Sequence, residues 1–256
     1  MKAFRLDGKR ALISGGSKGI GSSIAKTFAE AGADIGIIGR DLEGLYDTKN
    51  IVEEYGRKCL VIEQDISSIA GAKSAGKKAI EFSSHWDILV NNAGIVKIAP
   101  ILEITPEEWD EIFAVNLRAA LLLSQIIAPS MIKNKGGKIL NISSVCSFLG
   151  TPGLSAYAAS KAAINQLTRT MAVEWGPHNI HVNAICPTII LTEMATAVWA
   201  NPELTEQRKD KEKKIPLRRF GQPEEVANAA LFLVSSAANY IHGVSLPIDG
   251  GLSVSP

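Results

Sequence analysis

Two residues in the second half of the chain have the types and the spacing needed to transfer a proton. Tyr157 and Lys161 stand four residues apart in the run SAYAASK, so on a helix they lie one turn apart on the same face. A phenol alone has a pKa near ~10 and exchanges protons poorly at neutral pH. We expect the neighbouring ammonium to lower the pKa of Tyr157 and so to make it a general acid or base.

A serine hydroxyl is predicted to face this pair. Ser144 comes thirteen residues before Tyr157 and follows the run GGKILNIS, which is typical of a buried strand. At the carboxyl end of that strand its hydroxyl would point towards the tyrosine. A serine in a turn and an incidental Tyr/Lys pair would account for the same residues, so the elements around them have to decide.

Those elements begin with a strand, a glycine turn and a helix near the start of the chain. Residues 10–14 form a short apolar run, and an amphipathic helical pattern follows the turn. Gly15, Gly19 and Gly21 give the turn the spacing GxxxGxG. Glycines let the backbone approach a pyrophosphate, which the helix N-terminus then stabilises, so this beginning predicts a dinucleotide site.

The glycine turn, the run NNAG at residues 91–94, Ser144 and the Tyr157/Lys161 pair together resemble the short-chain dehydrogenase/reductase family, over essentially the whole chain. The alternation of strand and helix patterns predicts an α/β fold with a single doubly wound (Rossmann) parallel sheet. The resemblance implies about seven strands in the order 3-2-1-4-5-6-7. It also implies one dinucleotide-binding oxidoreductase domain spanning residues 1–256.

The resemblance assigns catalytic roles as well. Tyr157 would exchange the proton with the substrate oxygen, and Lys161 would tune the tyrosine and hold the nicotinamide ribose. Ser144, rather than its neighbour Ser143, would bind the carbonyl oxygen. Asn116, a polar residue in an apolar helical run, resembles the family's fourth catalytic residue, which holds a water beside the lysine. The implied reaction is hydride transfer between a secondary alcohol and a ketone with a nicotinamide cofactor.

The residues after the second strand bear on the choice of cofactor. An acidic residue at this strand's end binds the ribose 2′-hydroxyl in dinucleotide folds, whereas an arginine accommodates a 2′-phosphate. Here Gly39 takes the acidic position, Arg40 follows it and Lys18 adds a second positive charge, so NADP is predicted over NAD. Asp41 keeps NAD open, although it also suits the N-cap of the next helix. Two roles stay equally open for Asp65. One is an adenine contact, which the resemblance implies, and the other is a helix cap.

The expected cofactor contacts run along the carboxyl edge of the predicted sheet. The resemblance places the pyrophosphate on the glycine turn and the nicotinamide carboxamide on Thr192. The full set is Gly15, Ser17, Lys18, Gly19, Ile20, Gly21, Arg40, Asp65, Ile66, Asn92, Ala93, Gly94, Tyr157, Lys161, Pro187, Ile190 and Thr192.

The expected substrate wall is small and partly polar. Cys146 lies just beyond Ser144, and Thr188 stands where the resembled family usually has glycine. Lys97, three residues after Gly94, should project towards the pocket mouth. A wall with hydrogen-bonding groups selects substrates with hydroxyls, because leaving buried donors unpaired is costly. The sequence therefore favours a small hydroxylated carbonyl, such as a keto-sugar, polyol or sugar acid. The candidate contacts are Ser144, Cys146, Lys97, Tyr157 and Thr188.

Residues at about 188–216 lose hydrophobic periodicity and gain charge, which predicts a substrate lid containing Met194 and Trp199. Its four lysines between residues 209 and 214 could dock an acidic carrier protein, or could simply form a solvated face. Reduction of a 3-oxoacyl chain on a carrier protein therefore stays open as an alternative. A non-catalytic, cofactor-sensing binding protein is the alternative from another class, against which the filled catalytic positions argue.

Composition limits the partners. A formal net charge of +1 gives no electrostatic preference for nucleic acid or a membrane surface. The start is charged where a signal peptide would be apolar, and we expect no apolar run that approaches the ~20 residues of a membrane span, so a cytoplasmic location is predicted. The cysteines and histidines form no ligand-spaced cluster, so no metal is expected. Apolar surface on the helix predicted over residues 106–135, beside the helix over 155–175, predicts a homotetramer, as the resembled family pairs these helices.

Overall fold

The computed structural model describes residues 2–199 and 201–255, with all their side chains except those of Met194, Ala197, Val198 and Pro202. The expected lid contact of Met194 therefore lies outside the described residues.

Seven parallel strands form one sheet in the order β3-β2-β1-β4-β5-β6-β7, which confirms the predicted topology. The strand order reverses between β1 and β4, and open α/β sheets bind ligands in the crevice beyond the carboxyl ends at such a point. The strands are β1 (Arg10–Ser14), β2 (Asp34–Gly39), β3 (Cys59–Glu63), β4 (Ile88–Asn91), β5 (Gly137–Ile142), β6 (Ile180–Pro187) and β7 (Ser245–Ile248).

Helices cover both faces of the sheet. Successive residues of a strand point to opposite faces, so Ile13 of β1 enters the core beneath one helical layer and Leu12 enters the other. The first layer holds α1, α2 and α9, and the second holds α3, α5 and α6. The helices are α1 (Gly19–Glu30), α2 (Leu42–Glu54), α3 (Ile69–Phe82), α4 (Pro106–Phe113), α5 (Ala119–Lys133), α6 (Ser155–Trp175), α7 (Glu193–Trp199), α8 (Thr205–Lys214) and α9 (Pro223–Val234).

The helix predicted over residues 106–135 is interrupted. Its start is as expected, because the Thr105 hydroxyl and the Glu108 carboxylate form a capping box around the first turn of α4. A π-helical segment, Ala114–Arg118, then joins α4 to α5. Such single wide turns often mark functional sites, and Asn116 lies in the middle of this one.

The α5 helix belongs to the core. Leu123, Ile127 and Met131 are fully buried, and Leu121 and Leu122 pack against the same cluster. By length and composition alone, the run Pro106–Lys133 could cross a membrane, and the expectation that no apolar run comes near that length is wrong for this stretch. Half of its apolar window is buried inside the protein, as is usual for a core helix.

Buried polar side chains join the strands to the helices beneath the carboxyl edge. The Asn91 amide donates to Asn141 Oδ1 (2.8 Å) and to Ser124 Oγ (3.1 Å). The Asn141 amide in turn donates to Thr168 Oγ1 of α6 (2.8 Å). All four residues are buried. Because unpaired buried polar groups are costly, these bonds fix β4, β5, α5 and α6 in a single register.

Residues 188–216 are more helical than their sequence pattern indicates, since they carry α7 and α8. The α8 helix is polar on all sides and has no buried residue. Ion pairs along it, Lys209 with Glu206 (2.8 Å) and Lys213 with Asp210 (3.1 Å), support a helix that needs no apolar face. Trp199 at the end of α7 lies with its ring 5.4 Å from that of Phe220, between centroids.

Candidate active site

Lys161 and Tyr157 lie on one face of α6, above the end of β5. The Lys161 side chain is 4% exposed, and its ammonium donates to the carbonyl oxygen of Ile142 at 2.8 Å. Its Nζ atom lies 5.6 Å from the centroid of the Tyr157 ring. The predicted pair is therefore formed, and the last carbonyl of a central strand anchors its cation.

Burial governs the ionisation of both groups. It raises the pKa of Tyr157 to about 12, against a smaller lowering by a hydrogen bond with the Ser144 hydroxyl. It also lowers the pKa of Lys161 to about 8. The expected lowering of the Tyr157 pKa by the ammonium is thus wrong for the protein alone. In this dry site desolvation of the charged form is the largest influence on the pKa of each side chain.

The two serines at the end of β5 have different partners. Ser143 Oγ donates to the backbone oxygen of Lys161 at 3.0 Å, so its hydroxyl is used inside the protein. Ser144 is 6% exposed, and its Oγ accepts the N–H of Cys146 at 3.2 Å. The same hydroxyl is close enough to Tyr157 to lower the pKa of the phenol. The geometry therefore favours Ser144 over Ser143, as the spacing did.

Asn116 connects the segment that follows β4 to α6, next to Lys161. Its Oδ1 accepts the N–H of Ile95 (2.8 Å), and its Nδ2 donates to the oxygen of Ile95 (3.0 Å) and to Ser160 Oγ (3.1 Å). A Cβ placed on Gly94 would lie 3.4 Å from both Asn116 Oδ1 and Lys161 Nζ, so the three groups meet at one point. Sequence reasoning missed Ile95 and Ser160, although Ser160 stands directly before the lysine.

The glycine turn fits a pyrophosphate. A Cβ on Gly21 would lie 2.1 Å from the oxygen of Gly15, and one on Gly19 would lie 2.9 Å from Thr192 Cγ2, so only glycine leaves this cradle open. Gly15 and Gly19 also adopt positive φ, at 68° and 59°. Lys18, at the N-cap of α1, makes no side-chain cap, which leaves the first amides of a twelve-residue helix for an anion. Ser17 and Ile20 flank this stretch.

The NNAG run joins the glycine turn. Ser14 Oγ accepts the N–H groups of Asn92 (3.1 Å) and Ala93 (3.2 Å), and the Asn92 amide donates to the oxygens of Ser14 (3.0 Å) and Gly15 (2.9 Å). Farther along the edge, Pro187 ends β6 and Ile190 is buried beside Gly221. The carboxyl ends of β1, β4, β5 and β6 thus share one crevice with the expected cofactor contacts.

The cations expected at a 2′-phosphate lie near carboxylates. Lys18 Nζ is 3.3 Å from Asp41 Oδ2, and Arg40 is 3.8 Å from Asp65. These side chains are between 43% and 67% exposed, so both pairs are weak and free to exchange partners. Asp41 is also the N-cap of α2, as expected. Asp65 accepts the N–H of Ser67 (2.8 Å), whereas the N-cap of α3 is Ser68; Ile66 between them is buried.

The expected substrate contacts are only partly brought together. Cys146 is half-buried beside Ser144, and Thr188 follows the end of β6, with its N–H bonded to the oxygen of Ile248 (3.2 Å). The ammonium of Lys97 instead lies 2.7 Å from Glu111 of α4, which raises its pKa. Within residues 2–199 and 201–255, the two carboxylates near the Lys97 ammonium, those of Glu108 and Glu111, both belong to α4.

The family model described as "Enoyl-(Acyl carrier protein) reductase" matches residues 15–253. A relative from Gluconobacter oxydans, gluconate 5-dehydrogenase, is 39% identical over 253 residues, covering 98% of this chain and 97% of its own. The chain belongs to the short-chain dehydrogenase/reductase family. As a member of this family it is an oxidoreductase, which confirms both the resemblance and the predicted class of activity.

Two further members of the short-chain dehydrogenase/reductase family differ in their cofactors. The NAD-dependent glycerol dehydrogenase of Listeria innocua is 38% identical, covering 99% of this chain and 97% of its own. A solved gluconate 5-dehydrogenase from Burkholderia cenocepacia, in complex with NADP and tartrate, superposes with a TM-score of 0.91 at 35% identity, covering 100% of this chain and 99% of its own. Nicotinamide cofactors of both kinds thus occur among close relatives.

The burial of Lys161 predicts a pH-dependent cost in stability. Its folded-state pKa of about 8 lies below the ordinary value of 10.5, so between these two pH values the unfolded chain binds the extra proton and stability rises with pH. Below pH 8 the whole cost, roughly 3 kcal/mol, is present. We expect Lys161→Met to raise the free energy of unfolding at pH 6.5 by roughly 2 kcal/mol, since the lost bond to Ile142 offsets about 1 kcal/mol.

Urea unfolding of both proteins between pH 6.5 and 9.5 measures this effect, and the advantage of the variant should shrink as the pH rises. Tyr157 is present in both proteins and cancels in the difference. Lys77→Met, at an exposed position on α3, controls for the loss of one positive charge. A difference that stays constant over the pH range would contradict the assignment of a desolvated ammonium.

Proposed function

We propose that the protein is an NADP(H)-dependent oxidoreductase that interconverts a secondary alcohol and a ketone, with a small hydroxylated carbonyl as its substrate. The observation that carries the proposal is the meeting of Ser144, Tyr157 and the buried Lys161 ammonium at the carboxyl edge of the sheet. A buried cation is costly to keep, and a purely structural site would not need one.

The proposed chemistry assigns one role to each side chain. The nicotinamide, when bound, supplies or accepts the hydride. Ser144 donates a hydrogen bond to the substrate oxygen, and Tyr157 donates its phenolic proton to that oxygen during reduction. Because the pKa of Tyr157 is about 12, the phenol is protonated at neutral pH and ready to act as the acid. Lys161 stabilises the phenolate that forms, and Asn116 holds the backbone beside Lys161.

Support for a hydroxylated substrate comes from the residues around Ser144 and from relatives. The residues near Ser144 are small and partly polar, since the Thr151 hydroxyl lies 3.7 Å from Cys146 Sγ and Thr188 directly follows β6. The relatives named for gluconate and glycerol act on polyhydroxylated compounds. We assign substrate contacts to Ser144, Cys146, Tyr157 and Thr188. A contact from Lys97 requires its ammonium to leave Glu111 and stays a prediction.

Reduction of a 3-oxoacyl chain on a carrier protein is the second candidate. The description of the matching family model favours it, and so does the lysine-rich α8 as a docking face for an acidic partner. Two of those lysines, Lys209 and Lys213, already pair with acidic residues of their own helix. The sugar-type substrate is therefore the better supported of the two.

Turnover by the protein and by Tyr157→Phe tests the reaction. We expect the protein to oxidise NADPH with a keto-sugar or keto-sugar acid, and the variant to be slower by about 10²–10⁴-fold, because only the transferable proton is lost. NADPH affinity, measured by fluorescence, should stay unchanged, since the ring remains. A variant that keeps more than a tenth of the rate would remove Tyr157 from the proton-transfer step.

The same assay decides the substrate class. The panel holds keto-sugars, keto acids, oxidised polyols, simple ketones and 3-oxoacyl thioesters. Faster turnover of 3-oxoacyl thioesters than of every sugar-derived carbonyl would overturn the hydroxylated-substrate proposal and leave the reaction class intact.

Preference for NADP is proposed from Arg40 and Lys18. We expect Arg40→Asp to move the ratio of kcat/KM for NADPH and NADH towards NADH by roughly ten- to a hundred-fold, because a charge-assisted hydrogen bond is worth about 1.5–3 kcal/mol. Lys77→Asp, which changes the net charge equally on an exposed part of α3, should leave the ratio unchanged. A wild-type preference for NADH would show that Asp41 outweighs the two cations.

We further propose a cytoplasmic homotetramer whose single domain closes a lid at residues 188–216 over the substrate. Large apolar side chains stay exposed on α4, on α6 and towards the C-terminus, where the family pairs its subunits. They are Trp109 (38% exposed), Val173 (79%), Tyr240 (104%) and Val254 (85%). We expect light scattering at micromolar concentration to give four times the chain mass of 27.3 kDa. A monomer mass would contradict the assembly without affecting the proposed reaction.

A further inference from the structure

A second polar cluster lies behind Ser144. Ser147 Oγ donates to the backbone oxygen of Ser144 at 2.5 Å and accepts a hydrogen bond from the Asn165 amide at 2.7 Å. The Asn165 Oδ1 atom accepts the thiol of Cys186 at 3.7 Å. Asn165 is 3% exposed and Cys186 is fully buried. The N–H group and the oxygen of the Asn165 amide are therefore both hydrogen-bonded inside the protein.

Asn165 shares its helix face with the catalytic pair. Tyr157, Lys161 and Asn165 follow one another at intervals of four residues on α6, so they lie in one row. The residues on both sides of Ser144 are hydrogen-bonded to this row. Ser143 bonds to the backbone of Lys161 at 3.0 Å, and Ser147 bonds to the side chain of Asn165.

The chemistry of the cluster requires an amide. Ser147 has a single hydroxyl proton, and the Asn165 N–H group directs that proton to the Ser144 carbonyl by occupying a lone pair of the hydroxyl. An acidic or apolar side chain at position 165 could not donate in this way. The bond from Ser147 holds the backbone of Ser144, while the Ser144 hydroxyl itself reaches the oxygen of Pro187 at 3.5 Å.

We propose that Asn165 is a positioning residue that, through Ser147, fixes the Ser144 hydroxyl against Tyr157. The proposal rests on the reaction proposed above, because it concerns the serine of that reaction. It goes beyond that reaction by explaining what sets the distance between Ser144 and Tyr157. The residues on either side of Ser144 are bonded to the same face of α6 that carries Tyr157. A filler role, in which Asn165 merely pairs buried polar atoms, is the competing explanation.

A double-mutant cycle separates the two explanations. We expect Asn165→Leu to lower kcat for NADPH-dependent reduction of the best carbonyl in the panel by about 5- to 10-fold, the value of one hydrogen bond, with the KM for NADPH unchanged. In a Ser144→Ala background the same substitution should cost less than about 2-fold, because there is no hydroxyl left to position. Losses that multiply in the double variant would overturn the proposal.

Thr168→Val provides the matched control. Thr168 is the next polar residue of the same helix face, but it bonds to Asn141 and not to the Ser144 turn. The fold-loss in kcat caused by Thr168→Val should multiply with the fold-loss caused by Ser144→Ala. If Asn165→Leu fails to fold, Ser147→Ala removes the same connection from its other end and enters the cycle instead.

Amide hydrogen exchange tests the positioning without any turnover. The N–H of Cys146 donates to Ser144 Oγ at 3.2 Å, so it reports on the place of that hydroxyl. In Asn165→Leu or Ser147→Ala we expect residues 144–148 to exchange at least about 5-fold faster, with β1 unchanged. Unchanged exchange there would overturn the positioning role. If the wild type reduced no carbonyl at all, the proposed reaction would fail, and this measurement would still decide the role of Asn165.

Discussion

The buried ammonium of Lys161 is the constraint on which the rest of the site depends. A desolvated cation is tolerated only where strong acceptors surround it, and here the carbonyl oxygen of Ile142 supplies one at 2.8 Å. That carbonyl belongs to the last residue of β5. The helix carrying the lysine must therefore cross the sheet at one height and in one rotation. Asn141 of β5, bonded to Thr168 of α6, is a second connection between the same strand and helix.

Hydrogen bonds between polar side chains and backbone groups join the cofactor cradle to the residues beside α6. Ser14 and Asn92 fasten β1 to β4, and Asn116 then bends the chain at Ile95 so that Gly94 faces Lys161. A Cβ at Gly94 would lie 3.4 Å from the ammonium nitrogen, so the backbone passes close to the lysine here. The two halves of the crevice, one for phosphates and one for the reacting carbon, are thereby held at a fixed separation.

The family resemblance, carried by the motifs, implied the strand order that the sheet has. Hydrophobic patterns predicted the alternation of strands and helices, because buried parallel strands and amphipathic helices leave clear periodicities. They missed the helices α7 and α8, since α8 has no buried residue to create a period. They also misjudged the Tyr157 pKa and the direction of Lys97. Both depend on what surrounds a side chain in space: burial in one case, and Glu111, which is fourteen residues away in sequence, in the other. Neither quantity is encoded by spacing along the chain.

The π-helical segment Ala114–Arg118 has a consequence for how this chain could vary in length. A wide turn holds one residue more than an α-turn, so deleting one residue there would restore a regular helix. Because a wide turn takes up its extra residue by widening, the deletion would leave α4 and α5 in nearly the same relative rotation. Trp109 and Phe113, stacked 4.9 Å apart, would keep their places, and so would Glu111 beside Lys97. The deletion would therefore act locally, on the hydrogen bonds that Asn116 makes to Ile95 and Ser160.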